Sequence, residues 1–440
     1  MNLYAWIGVI GIVFFTWLPL LNKKMRTRPA IVRAILTIVI AIMVILAITL
    51  LHIPLLFAMI GMILAIFLLN MNWSRRRNLI ILGVVIGFVG IGAYFVFKED
   101  PEYVLNHLER HPESSSFMFA KNDSSLVSYQ ANERRSLAST MKIIIAIEYA
   151  EQVAQDKIDP QQKVSLDEPG RFYLKGTDGG AHSGWLEEMK EEDRIEDGKV
   201  ALHDIAKGMI TYSSNANTDY LLSVLGIDEV NQRIEKLGLK HHEPIYPIVG
   251  AILIPEEMQD KDMDDKEMVS TLRNLSDEAY RKKALEIHRD IEAGKLQTSD
   301  IDYNGSLKIQ KVWSDRLPGA TAGDYQKLMK MINQEDAFSK DVQDTIRDVL
   351  EWPMDVPGNE ERFVHFGAKG GSTAFVLNQA MYAEDHDGNT FELVLFTDDL
   401  SLWQSFKLNR NHNEFIKKMF DEPEYWKDVK KALSSEDSEE

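Results

Sequence analysis

Three short stretches hold side chains that could make and break an acyl bond. In Ser139-Thr-Met-Lys142 the serine and the lysine are three apart, a spacing that sets both on one face of a helix. Residues 143–150 are apolar on nearly every side, so a helix starting at Ser139 is expected to run buried through its domain. The N-terminus of such a helix supplies positive potential and would stabilise an alkoxide or oxyanion at Ser139. A lysine entering an apolar core must be paired, neutral or functional, and a desolvated Lys142 amine can take the serine proton. Ser-x-x-Lys alone recurs by chance on ordinary helix surfaces; its position at the mouth of an apolar helix gives it weight.

Two further stretches offer groups that such a serine would need. Thr211-Tyr-Ser-Ser-Asn-Ala-Asn217 follows an amphipathic stretch, residues 200–210, and reads as a turn between helices. From it the Ser213 hydroxyl can relay a proton and the Asn215 amide can hold a substrate carbonyl. Taken alone, the same residues would simply cap the next helix. His365-Phe-Gly-Ala-Lys-Gly-Gly-Ser-Thr373 reads as a strand end. Its Lys369 offers a cation for a carboxylate, Gly370 and Gly371 let a substrate backbone approach, and the Ser372 N–H can join the Ser139 N–H as an oxyanion hole. Taken alone, Lys-Gly-Gly reads as a turn.

The elements that must position these groups come from both ends of the region after residue 98. A helix over 102–110, ended by Pro112, precedes two strand-like runs at 116–120 and 126–130, which read as a hairpin. Near the other end, 363–366, 374–383 and 391–397 alternate like strands, and a helix over 402–420 follows. Strands at both ends with helices between them predict one sheet assembled from distant pieces beside a helical subdomain. Residues 256–302 are dense in charge and helix formers and read as a solvated helical insertion; a lid or a partner-docking arm is the alternative. The acidic tail 434–440 is expected to be disordered.

Charge divides the chain unevenly. Residues 1–97 contain no Asp or Glu and carry +8, whereas the remainder carries −26, giving −18 for the 440 residues. That acidic balance argues against nucleic acid as a partner. The absence of cysteine excludes disulfides, thiolate metal sites and a Cys nucleophile. His241 and His242 have no matching ligand run and are read as loop, so no metal is expected. Apolar runs at 3–21, 34–51, 54–73 and 79–97 are each about long enough to cross a ~30 Å hydrocarbon core as a helix. They predict a four-helix anchor. The basic loops 22–28 and 74–77 would lie inside the cell, which places the domain after residue 98 outside the cytoplasmic membrane.

Together and in this order, the three stretches resemble the motif set of penicillin-binding proteins and serine β-lactamases: Ser-x-x-Lys, Ser-x-Asn and Lys-Thr/Ser-Gly. The likeness is to class A β-lactamases and extends from about Glu102 to Phe420, taking in residues 200–222 and 320–330. It implies an α+β, β-lactamase/transpeptidase-like domain, with an antiparallel five-stranded sheet flanked by helices, an all-helical subdomain, and the site in the cleft. There are departures: Ser214 replaces the usual Asp, Gly370 replaces the Thr or Ser after the lysine, and the charged insertion separates the second and third motifs. Ser372 or Thr373 would supply the missing hydroxyl. The family's Glu-Pro-x-x-Asn loop, whose glutamate activates the deacylating water, is matched by Glu243-Pro244, with Pro247 where the asparagine should stand.

These readings predict a cofactor-free serine hydrolase or acyltransferase. Ser139, Lys142 and Ser213 would be catalytic, Asn215, Lys369, Gly371 and Ser372 substrate-binding, and Glu243 the candidate deacylation base. The expected substrates are D-alanyl cell-wall peptides or esters, in the manner of a D,D-peptidase. A tethered β-lactamase is the alternative within the class. A non-enzymatic penicillin sensor or wall-binding pseudoenzyme is the alternative outside it, although the His-Glu-x-x-His of the β-lactam receptors is missing.

Overall fold

The structure is a computed structural model that describes Ile35 and residues 98–259, 263–303, 305–334 and 336–434. It falls into two compact units: Met1–Asp100 with Leu402–Asn411, and Pro101–Ser401 with His412–Glu440. In the first, residues 98–100 and 402–411 are described besides Ile35, and the Asp100 N–H donates to Asn411 Oδ1 at 2.6 Å. Everything that bears on the site lies in the second.

The second unit opens with helix α1 (Glu102–Arg110) and a hairpin of β1 (Ser115–Lys121) and β2 (Ser124–Tyr129). The hairpin turns through Asn122 and Asp123, both left-handed, as short polar side chains tolerate. The chain then leaves the sheet. It passes through β3 (Arg134–Ser136), a 3-10 turn (Ala138–Met141) and α2 (Lys142–Ala154), and crosses a short ladder of β4 (Lys163–Ser165) and β5 (Lys199–Ala201) with α3 (Ala181–Glu191) between them. Helices α4 (Leu202–Thr211), α5 (Asn215–Leu225) and α6 (Ile227–Lys236) complete a helical region around α2. The chain returns through β6 (Gly319–Thr321), which pairs with β3, and through α11 (Ala322–Asn333) and α12 (Lys340–Leu350). Four elements before β6, numbered α7 to α10, are described below. The last strands, β7 (Phe363–Ser372), β8 (Leu377–Asp385) and β9 (Thr390–Thr397), join the first two in a five-stranded antiparallel sheet of order β2-β1-β9-β8-β7.

The α+β expectation therefore holds, including the sheet assembled from both ends of the domain. Phe117 and Phe119 of β1 meet Phe415 and Phe420 of α13 (Leu402–Asp421) across one face of the sheet. On the other face Tyr325 of α11 sets its ring edge-on to Phe396 of β9, with centroids 5.2 Å apart. The core helix α2 buries even its lysine, because helices pack around it on all sides. A final helix, α14 (Pro423–Ser434), ends at the first residue of the acidic tail; the rest of that tail lies outside the described residues.

The segment 256–302, expected as a solvated helical insertion, is helical and packs one face inward. It contains α8 (Asp265–Asn274) and α9 (Asp277–Glu292), with α7 (Ile248–Ile252) before it and α10 (Leu307–Asp315) after it. Tyr280, Ala284, Ile287, His288 and Ile291 of α9 are buried, and a Cβ on Gly250 of α7 would lie 2.3 Å from the Ala284 carbonyl oxygen. The charges occupy the outer face while the apolar stripe closes the core. That stripe is used inside the domain.

The four-helix membrane anchor is corrected. A crossing needs about 20 consecutive apolar residues, and among the described residues no helix is long and apolar enough to cross a membrane. The 20-residue α13 carries Lys407, Arg410, Glu414, Lys417, Lys418 and Asp421, while the apolar α2 has only 13 residues. Apart from Ile35, the runs at 3–21, 34–51, 54–73 and 79–97 lie outside the described residues. The multi-pass fold class is thus not supported, and the placement at the cytoplasmic membrane that rested on it falls with it.

Candidate active site

Ser139 sits in the 3-10 turn that leads into α2, one residue after Ala138, whose φ of 45° is left-handed. A non-glycine residue rarely adopts that conformation and keeps it only when its surroundings impose it. Here the surroundings are a set of clamps on the preceding residues. Ser136 Oγ donates to the Ser314 carbonyl (3.0 Å), the Asn378 amide donates to the Ser136 carbonyl (2.7 Å), and the Leu137 N–H donates to the Pro318 carbonyl (2.9 Å). From the other side, β7 passes so close that a Cβ on Gly371 would lie 2.5 Å from the Leu137 carbonyl oxygen and 2.8 Å from the Ser139 nitrogen. Gly371 is therefore required by the Ser139 segment itself, in addition to the substrate approach expected from sequence.

Lys142 follows at the first position of α2, fully buried. Its Nζ reaches the Ser213 carbonyl (2.6 Å), Ser213 Oγ (3.3 Å) and Asn215 Oδ1 (3.0 Å). Burial, and next the Lys369 cation, push its pKa well below that of a free lysine, against smaller opposing fields from Asp219 and Asp178. Lys369, on β7, is also buried; it donates to the same Ser213 Oγ (3.0 Å) and to the Gly370 carbonyl (2.7 Å), and burial lowers its pKa to about 7. The Ser213 hydroxyl thus bridges two lysines. Its residue, with φ 66°, is a second left-handed non-glycine at the site.

The turn bearing Ser213 and Asn215 is fixed from beneath. Ser214 Oγ accepts the Asn217 N–H (3.2 Å), capping α5, and meets His182 Nδ1 at 3.1 Å, while Thr218 Oγ1 donates to the Ser214 carbonyl (2.7 Å). Ser214 thus caps α5 and holds the His182 ring with one hydroxyl. Burial lowers the His182 pKa, which favours the neutral ring.

Ser139, Ser213, Asn215, Lys369 and Ser372 all line one cleft of about 490 Å³. The structure thus brings the first two motifs and the third together. Thr373, offered as a source of the hydroxyl absent at Gly370, is occupied elsewhere: its Oγ1 meets Ser314 Oγ at 2.7 Å and accepts the Phe375 N–H at 3.0 Å. Ser372 is exposed along the cleft instead. A Cβ on Gly370 itself would come within 3.1 Å of the Gln379 amide, a crowding that a Thr or Ser would have to relieve.

Glu243 does not join them. One carboxylate oxygen accepts the Gly319 N–H (2.9 Å), the other pairs with Arg134 (2.9 Å), and the Glu243 N–H donates to the Gly319 carbonyl (2.8 Å). The side chain ties its loop to the β3–β6 ladder and is not among the residues lining the cleft. From this loop region the residue that does line it is Ile248, whose N–H, with that of Val249, is held by the buried carboxylate of Asp219 at 2.9 Å each. Neighbouring His242 packs on Tyr325, with Nε2 3.1 Å from the phenol oxygen, rather than facing solvent.

Sequence reasoning missed other parts of the lining, among them Asp178, Gln310, Trp313 and Phe375. The Asp178 carboxylate accepts the Gly180 N–H (3.1 Å) and the His182 N–H (2.9 Å) at the start of α3. Gly180, left-handed at φ 89°, lets the chain turn there, and the Gly179-Gly180 pair was the available signal.

Residues 102–419 match the beta-lactamase enzyme family. No curated protein matches the chain. Among solved structures the chain is similar to a beta-lactamase from Sphaerobacter thermophilus, at 16% identity over 72% of this chain and 96% of that one, with a TM-score of 0.46. It is also similar to a beta-lactamase from Chitinophaga pinensis (13% identity, 72% and 98%, TM-score 0.43) and to PBP-A (14% identity, 72% and 96%, TM-score 0.43).

Proposed function

The chain belongs to the beta-lactamase enzyme family, and from that premise we propose that it works by acyl transfer through an acyl-enzyme on Ser139. The observation that carries this reading is the Ser213 hydroxyl held between the amines of Lys142 and Lys369 in the cleft that Ser139 lines. Two lysines with lowered pKa values divide the work. Lys142, fully buried and facing the other cation, has the lowered pKa that suits a base taking the Ser139 proton, while Lys369 keeps a cationic fraction near neutral pH and reads a carboxylate. As Ser139 Oγ bonds to the carbonyl carbon, the C–N or C–O bond to the leaving group breaks. The proton travels from Lys142 through Ser213 to the departing atom. Asn215 orients the substrate, and the Ser139 and Ser372 N–H groups receive the oxyanion.

The substrate class is an acyl donor whose leaving part ends in a carboxylate: a D-alanyl peptide or ester, or a β-lactam. We favour the peptidase or esterase over the β-lactamase because the deacylation base is misplaced. Glu243 is bound away from the cleft, Ile248 lines it, and both oxygens of Asp178 already serve α3. The test is the time course with a penicillin: a burst of about one equivalent followed by slow turnover. Fast steady hydrolysis would make the protein a β-lactamase.

A further inference from the structure

Behind the turn that carries Ser213 and Asn215 lies the imidazole of His182, a buried residue on the first turn of α3. The His182 N–H is held by the Asp178 carboxylate at 2.9 Å, and the ring lies against Tyr173 and Trp185, with centroids 4.7 and 5.4 Å away. Nδ1 meets Ser214 Oγ at 3.1 Å. That hydroxyl accepts the Asn217 N–H, so its own proton needs an acceptor, and among the described residues the lone pair of His182 Nδ1 is the one in reach. The ring is then the neutral tautomer with its proton on Nε2, a form that burial favours against the field of Asp178. The Asn217 side chain is the second polar group acting on the ring, and its buried Oδ1 has no other donor among the described residues.

What the ring holds is the residue after Ser213. Ser213 keeps a left-handed backbone, which persists only where its neighbours impose it. On the cleft side its partners are the Lys142 and Lys369 amines, and the proton count of Lys142 changes during acyl transfer. A constant support must come from behind, where Ser214 is held by the ring on its hydroxyl and by Thr218 on its carbonyl. We propose that His182 is the positioning residue for proton delivery: it holds Ser214 and thereby aims the Ser213 hydroxyl at the leaving atom of the substrate. This rests on acyl transfer through Ser139 with Ser213 as the relay. His182 itself touches no substrate.

The experiment uses two esters with the same acyl group and with leaving parts that each end in a carboxylate. One leaves as the alkoxide of lactate, which must be protonated; the other leaves as the phenolate of 3-hydroxybenzoate, which need not be. Second-order rates of Ser139 acylation are read by mass spectrometry on the full chain. His182→Ala should slow the lactate ester by about 10- to 100-fold and the aryl ester by less than about threefold. His182→Asn, whose amide stands near the place of Nδ1, should restore the lactate ester to within about threefold of the parent. Should His182→Ala not fold, Ser214→Ala takes its place with the same split. Equal slowing of the two esters, as a general loosening of the fold would give, overturns the proposal; so does no effect on either, or an Asn variant as slow as the Ala variant. If neither ester acylates Ser139 in the parent, the acyl-transfer reading fails, and a crystal structure of the folded variant still decides the positioning. Ser213 Oγ must then have left hydrogen-bond reach of Lys142 or Lys369; a hydroxyl still held between both amines overturns it.

Discussion

Ser139, Lys142, Ser213, Asn215 and Lys369 were legible as residues because each pairs a reactive group with a local constraint that sequence alone can express. Lys142 in an otherwise apolar helix is the plainest case, and the structure places it fully buried on Ser213 and Asn215. The left-handed backbones of Ala138 and Ser213 were not legible, since an L-residue with positive φ is imposed by tertiary clamps rather than by its own type. The two lysines give a pH prediction. Lys369 loses its proton as pH rises through about 7. The preference for an anionic donor over a matched neutral ester should therefore fall across that range, measured as the ratio of acylation rates. In Lys369→Met the ratio should be low and flat with pH. Lys142→Ala should slow acylation itself by about 10²–10⁴-fold, the usual cost of losing a general base, and stopped-flow labelling reads it directly.

The hairpin, the core helix and the closing strands were legible as elements through their apolar periodicity. What the sequence hides is where one element serves another. The Glu-Pro pair at Glu243 has the right local spelling, yet its carboxylate is taken by Gly319 and Arg134, neither of which its own sequence neighbourhood reveals. The apolar run after Pro247 was the signal that this loop would turn Ile248 to the site instead. Glu243→Gln should consequently leave the slow turnover of a penicillin nearly unchanged. It should lower stability by less than about 1 kcal/mol in a thermal melt, because the partners are half-exposed and Gln can still accept the Gly319 N–H. Loss of turnover in that variant would return Glu243 to the mechanism. The inner face of the charged segment is hidden for a similar reason. Its sequence shows the many solvated charges, while the stripe of Tyr280, Ala284, Ile287 and Ile291 that seals the core is sparse among them.

At the scale of the whole molecule, burying two lysines in one cleft has a stability cost that pH should reveal. Lys369 has its folded pKa lowered to about 7 from 10.5. Below about 7 it is charged in both states and the desolvation penalty is fully present; between the two values the unfolded chain holds a proton the folded chain lacks, so stability rises with pH. Replacing Lys369 by Met removes this dependence and also removes its hydrogen bonds to Ser213 and Gly370. The melting temperature of Lys369→Met relative to the parent should therefore be highest near pH 6 and decline towards pH 9, with a swing corresponding to at most a few kcal/mol. A difference independent of pH would mean that Lys369 is not desolvated. The sheet uniting both ends of the domain was legible, whereas an anchor read from the apolar runs was not supported by any described helix. Such a fold gains its function only if the serine at its centre reacts. The most direct test treats the full chain with a fluorescent penicillin and maps the modified peptide by mass spectrometry. The account predicts a single adduct on Ser139 that disappears in a folded Ser139→Ala variant. An adduct on any other serine, or none on a folded parent, would contradict it.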